Sequence, residues 1–322
     1  MADERERRGG QAGWRHFLLP MILCFSLGLV FALAVLVFAI PGPSPGLAGL
    51  KPFPGAGSSF AAPDGALAKI GGAMAYRGYA ALTACIAVAV IVTSVAAIRL
   101  FVPRGRTRAI LLWVLTGQVA IGVGLNLLHG SGMSAAARAM LCDPAAAAPP
   151  WDMCSIERIA TFGLPIHHGF NAAIDALSTA ATTSVVFATF VIASARPPHP
   201  LPAIVGSVER GVTILLVAAS ALLVAVTVLD KSFLHWAFAD FLALERPPRD
   251  VTAYIAGNSV LSSGLETALL AATWLIAMFL AGRGGGRSSD PEVLSGGFSA
   301  YNLSAIFAPV LTSVGANLLA GQ

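Results

Sequence analysis

The chain has 322 residues, of which 56% are hydrophobic and 11% charged, with a mean hydropathy of +0.77 and a formal charge of +4. A soluble domain carries about 25% charged residues, so this composition excludes an ordinary water-soluble globule and makes lipid the expected solvent. The positive balance is small and dispersed, which argues against nucleic-acid binding.

Residues 1–16 form a charged tail containing Arg5, Arg7, Arg8 and Arg15. An uncharged run follows over 17–40, longer than the ~7–15-residue core of a signal peptide, and it is expected to be a retained first span. The connection 41–77 is rich in Pro and Gly, with Pro41, Pro43, Pro45, Pro52, Pro54 and Pro63, and such a segment cannot continue a helix. The second span is expected over 78–101, closed by Arg99. A tight basic turn with Pro103, Arg104, Arg106 and Arg108 leads to a third span over 109–128.

The connection 129–166 holds Cys142 and Cys154, with a short surface helix expected over 134–142. Two thiols in one loop predict a disulfide if that loop faces an oxidising compartment. Cys24 and Cys85 lie in apolar stretches, where a thiol behaves as a small hydrophobe. The fourth span is expected over 167–194, before Arg196 and a proline cluster, and the fifth over 211–229. Residues 230–250 read as a loop whose Phe233, Leu234, Trp236, Phe238, Phe241 and Leu242 coat one side of an interfacial helix.

The sixth span is expected over 251–280. After Arg283, the segment 284–322 reads as a linker and an amphipathic helix, with Leu303, Ile306, Phe307, Val310, Leu311, Val314 and Leu318 at helical spacing. Pro309 at its centre favours a helix lying on the membrane over a re-entrant segment or a seventh span. The expected architecture is thus all-α, a polytopic bundle of six spans.

Orientation follows from the cations, which favour the cytoplasmic side. Arg104, Arg106, Arg108, Arg196, Arg210, Arg283 and Arg287 then lie inside with both termini, and the loops 41–77, 129–166 and 230–250 lie outside with all the lysines. Such a pattern suits a bacterial inner membrane, and oxidation of the outer cysteines agrees with it.

Three spans carry polar residues on one face, since positions three or four apart are neighbours on a helix. They are Gln118, Gly122, Asn126 and His129 on the third; His168, Asn171, Asp175, Ser178 and Thr182 on the fourth; and Asn258, Ser262, Glu266 and Thr273 on the sixth. An acid at bilayer depth costs about 2.5–3.5 kcal/mol on insertion scales, so it is paired, protonated or facing water. No lysine lies within the expected spans, and Arg99 sits near the cytoplasmic end. Asp175 and Glu266 are therefore the leading ion-site candidates, with Asn126, Asn171, Asn258 and Ser262 as neutral ligands. They would equally fasten the bundle by accepting hydrogen bonds from Asn, Ser and Thr neighbours. The run Gly257–Gly264 permits either an interrupted helix, as in many transporters, or a continuous one packed through small residues.

Two further functions stay open at this point. One is a subunit or sensor of a larger membrane complex, docking through the aromatic segment 233–242 and the C-terminal helix. The other is a metal or haem protein using His129, His168 and His235 with Asp230 or Asp240, since imidazole and carboxylate suit transition metals. No HExxH, GxSxG, Walker or CxxCH pattern is present, so no enzyme class is indicated.

Overall fold

The computed structural model describes residues 17–39, 63–129, 156–159, 164–167, 170–195, 208–242, 244, 248–284 and 300–320. They form an all-helical bundle apart from one hairpin. Its helices are α1 (Leu18–Ala39), α2 (Pro63–Phe101), α3 (Arg106–His129), α4 (Phe170–Ser194), α5 (Val208–Ala237), α6 (Ala239–Leu242), α7 (Arg249–Gly284) and α8 (Ala300–Ala320). Five are long and apolar enough to cross a membrane, over Met74–Phe101, Arg106–Gly124, Ala173–Ser194, Val208–Ala237 and Arg249–Ala281. Shorter apolar stretches occupy Leu18–Phe31 in α1 and Leu303–Gly315 in α8. The protein is a multi-pass membrane protein whose outward faces meet lipid.

Why these helices associate is clearest in α2. Tyr76, Ala80, Thr83, Ala87, Val90, Ser94, Ile98 and Phe101 are buried at steps of three and four, the period of one helix face. Ala80, Thr83, Ala87 and Ser94 at its middle are small, which lets backbones approach closely, as membrane helices require in the absence of a hydrophobic drive between them. Thr83 Oγ1 lies 2.8 Å from the carbonyl of Tyr79 and 3.4 Å from that of Ala225 on α5. The opposite face shows Met74, Leu82, Val88 and Val92 to the surroundings. Both faces are apolar, and size separates them.

Helix α4 is the hub, packing on α1, α2, α3, α5 and α7. Every residue from Ser184 to Ala193 is buried, as expected of a helix enclosed on all sides. At the basic turn the chain reverses tightly. Pro103 blocks continuation of α2, and Gly105 takes a φ of 134°, a conformation that disfavours side chains. Arg108 then reaches back: its Nε donates to the carbonyl of Val102 at 3.0 Å and its Nη2 to those of Val102 and Arg99, the latter at 2.7 Å. A guanidinium thus satisfies open carbonyls at the negative end of α2.

Several boundaries differ from expectation. Helix α2 starts at Pro63, a favoured first helical residue, so 63–77 is helix rather than connection. The fourth span starts at Phe170, because His167 instead ends strand β2 (Leu164–His167), paired antiparallel with β1 (Ile156–Ile159). Helix α5 does not stop at Leu229. It continues through Asp230 and Lys231 to Ala237, so a lysine does lie within a candidate span. Phe233, Leu234, Phe238 and Phe241 are consequently buried, packed with Tyr76, Ile174, Val251 and Ile255, instead of coating an exposed interfacial helix. Helix α7 runs unbroken through Gly257–Gly264.

The C-terminal helix is present, but its placement differs from a helix lying on the surface. It packs along α5 and α7, burying Ile306, Pro309 and Ser313, while Leu303, Phe307, Leu311 and Val314 face outward. Ser313 Oγ is 2.8 Å from Ser259 Oγ near the start of α7, and Ile306 joins the core cluster that holds Ala277 and Leu280 near its end. Helix α8 therefore runs antiparallel to α7, with Ile306, Pro309 and Ser313 inward and the larger apolar residues Leu303, Phe307, Leu311 and Val314 out. The expected Cys142–Cys154 disulfide and the helix at 134–142 lie outside the described residues.

Close packing at the basic-turn end yields a direct test. A Cβ on Gly211 would fall 2.6 Å from Phe101 Cζ, a distance that requires the ring to move. Gly211→Ala should lower stability by about 1–3 kcal/mol, the usual cost of overpacking, and Phe101→Leu in the same chain should recover part of it. Thermal unfolding of the detergent-solubilised protein reads both; full stability of the single variant would disprove the contact.

Candidate functional site

Three helices each bring one carboxylate to the same region of the bundle. Glu266, on α7, is buried, and its Oε2 lies 2.6 Å from Thr227 Oγ1 on α5. One turn further along α5, Asp230 accepts a hydrogen bond from the Ser262 hydroxyl of α7. Because α5 and α7 are antiparallel, these two contacts are reciprocal: each helix contributes one acid and one hydroxyl. Residues 227 and 230 are three apart, and 262 and 266 four apart, so each pair shares one helix face.

Asp175 of α4 is the third acid. It lies within electrostatic reach of Asp230, and Asp230 lies within reach of Glu266. Asp230 is thus the centre of the group and links the two acids that the polar stripes had singled out. Tyr76 of α2 closes the cluster on another side, with Asp175 and Asp230 both acting on its phenol. Its ring stacks on Trp236 at 5.6 Å and tilts against Phe233 at the same separation. Gly72 makes room for this layer, since a Cβ there would sit 3.1 Å from the Trp236 backbone.

At ~1.5 Å per residue, Asp230 lies about 10 Å from the Ala237 end of α5. Glu266 is about one turn deeper. Beyond it, towards the basic turn, the path meets a small gap lined mainly by apolar side chains, among them Val186, Leu216, Leu223 and Leu270 with Thr182 and Thr273. The Thr273 hydroxyl is occupied by the carbonyl of Leu269 at 2.7 Å. Ser178 Oγ and Thr267 Oγ1 are buried with no hydrogen-bond partner, and such groups ordinarily find a protein or water partner.

The other expected site residues divide as follows. Ser262 is a member of the cluster through Asp230, and Asn258 is half-buried one turn before it on α7. The side chains of Asn126, Asn171 and His129, and all of His168, lie outside the described residues. On α3, Gln118 accepts a 3.6 Å contact from Cys24 Sγ of α1, and Gly122 faces Thr179 of α4. At those two positions the stripe serves helix packing. His235 is half-buried next to Trp236 on α5. Among the described residues, no group of three or more His, Cys, Asp or Glu is placed to hold a metal ion.

Asp230 is the residue that sequence reasoning misplaced. The signal for it was present: Thr227 and Asp230 share a face, and the apolar run resumes at Phe233 instead of ending. A charge pair inside a continuing apolar stretch reads equally as a helix end, and only the neighbouring helices decide.

No family model, curated protein or solved structure matches the chain. The chemistry of the cluster therefore carries the functional interpretation.

The crossed pairing is open to a double-mutant cycle. Asp230→Asn and Ser262→Ala should be non-additive in unfolding free energy by about 0.6–1.7 kcal/mol, the range of interhelical hydrogen bonds in membranes. Ser94→Ala, whose hydroxyl bonds only its own helix at Val90, should add independently to Asp230→Asn. Equal additivity of the two pairs would contradict the Asp230–Ser262 bond.

Proposed function

We propose that this protein is a membrane transporter or channel whose ion-binding site is the Asp175–Asp230–Glu266 cluster, and that the ion is a proton. The observation that carries this is the meeting of three carboxylates from three different helices inside one membrane bundle. Acidic side chains at bilayer depth are expensive to keep, and proton relays are among the functions that retain them.

The partners of the acids favour a proton over other cations. Each of Glu266 and Asp230 is held by a single hydroxyl, which serves an acid equally as donor or acceptor. A multivalent cation needs several oxygens converging at one point, with 6–8 for calcium, and among the described residues no group of three or more His, Cys, Asp or Glu is placed to hold one. The metal or haem function would rest on His129 and His168, whose side chains lie outside the described residues. The subunit function loses its main support, because the aromatic segment that would dock to a partner is buried within the chain.

Asp175, Asp230 and Glu266 would hand the proton between helices, with Thr227 and Ser262 orienting the carboxyls. Placement in a bacterial inner membrane, with the Arg104–Arg108 turn in the cytoplasm, belongs to the same proposal and is supported by the distribution of arginines.

Proteoliposomes containing a pH-sensitive dye provide the test. Imposed potential or solute gradients should drive proton movement through the wild-type protein. Glu266→Gln and Asp230→Asn, which keep shape and hydrogen-bonding capacity, should abolish it while the protein still reconstitutes. Full transport by a folded Glu266→Gln protein would overturn the assignment.

A further inference from the structure

The Thr227 hydroxyl has two oxygen neighbours and one hydrogen. Its Oγ1 lies 2.9 Å from the carbonyl oxygen of Leu223, one turn back on α5, and 2.6 Å from Glu266 Oε2. A carbonyl oxygen only accepts, and an ionised carboxylate only accepts. One hydroxyl hydrogen shared between both acceptors would form two bent, weakened bonds. Both contacts are full hydrogen bonds when Glu266 supplies a proton of its own: the carboxylic acid donates to Thr227 Oγ1, and Thr227 donates to Leu223.

We infer that Glu266 is the seat of a resident proton in this structure, and that the Thr227 hydroxyl is the switch that registers whether the proton is there. With the proton present, the chain of bonds runs Glu266 to Thr227 to Leu223. When it leaves Oε2, the carboxylate needs a donor, and the Thr227 hydroxyl turns from Leu223 to Glu266. The Leu223 carbonyl keeps its ordinary helical bond from the backbone N–H of Thr227, so the turn leaves no orphaned group. A threonine bonded back to the carbonyl four residues earlier bends its helix slightly. Loss of the proton therefore relaxes α5 at Leu223, the residue that also lines the apolar gap beyond the acids.

The charged and titratable surroundings agree with a proton that can move on. Asp230 faces Glu266 from α5, and Asp175 of α4 and Tyr76 of α2 lie beyond it. Helix α8, which also packs on α7, brings no charged side chain. The inference deepens the proton-site proposal and rests on it for its purpose, but the protonation of Glu266 is measurable without any transport.

Infrared spectroscopy of the full-length protein in detergent at neutral pH is the test. The carboxylic-acid C=O band should lose intensity in Glu266→Gln, whose amide mimics the protonated acid and preserves folding. In Thr227→Val the band should move to higher frequency, because the acid loses its partner, and in Thr227→Ser it should stay in place. An unchanged carboxylic-acid region in Glu266→Gln, with loss of a carboxylate band instead, would overturn the resident proton. An unmoved band in Thr227→Val would overturn the switch; if that variant does not fold, the Gln and Ser comparisons decide. A positive spectrum without proton transport would leave the resident proton standing and remove the transport proposal, and the reverse result would do the opposite.

Discussion

The constraint on which this bundle turns is that an acid placed among membrane helices must find its partners from protein. In hydrocarbon no water replaces a missing hydrogen bond, and an unsatisfied polar group costs several kcal/mol. The crossed acid–hydroxyl pairs of α5 and α7 answer that constraint for Glu266 and Asp230. They also fix the relative register of the two helices, because Thr227 meets Glu266 only where Ser262 meets Asp230. A slip of one turn would break both bonds together. The register so fixed leaves Ser259 facing Ser313, where α8 docks.

Around this pair the bundle is built by size rather than polarity. Ala80, Thr83 and Ala87 bring α2 close to α4 and α5, and Gly211 lets the Phe101 ring lie against the start of α5. Large apolar residues are sent outward: Val92, Trp113, Leu275 and Phe279 are all exposed to the surroundings. In water this would be an aggregating surface. In lipid it is the expected one, since lipid tails are as apolar as leucine and give helices no reason to hide such side chains. Helix α8 follows the same rule: of the apolar stripe legible from its spacing, Ile306 is buried while Leu303, Phe307, Leu311 and Val314 face outward.

Much of this was readable from the chain. The spans α3 and α7 announced themselves as long apolar runs bounded by arginine and proline, α7 broken only by Glu266, and the step of four joining Ser262 to Glu266 marked a buried face. Asp175 was identified by the same spacing on α4. What the sequence did not disclose was which faces meet, because that depends on helices distant in the chain. Asp230 shows the cost: beside Lys231, it resembles the first residue of a loop, and only the packing of Tyr76, Phe233 and Phe238 over it reveals a continuing helix. In the polar stripe of α3, Gln118 and Gly122 meet α1 and α4, while the Asn126 side chain lies outside the described residues.

The closures on either side of the acids are unequal, and that inequality bears on how a proton would reach them. Towards the Ala237 end lies the smaller core cluster, in which Tyr76, Phe233, Phe238 and Phe241 are buried and Trp236 is half-buried. Towards the basic turn lies the larger core, with Phe187, Phe190, Leu215, Leu216 and Leu222 fully buried. Dense interiors resist small displacements, and the smaller cluster has fewer buried side chains to move. For a bundle that moves protons, it is thus the nearer entrance, and passage through the larger core must cross the packing around Leu223. That residue accepts the Thr227 hydroxyl when Glu266 holds its proton. The thicker closure and the proposed proton seat consequently meet on one turn of α5, which places the coupling of charge to helix geometry at the edge of the larger core.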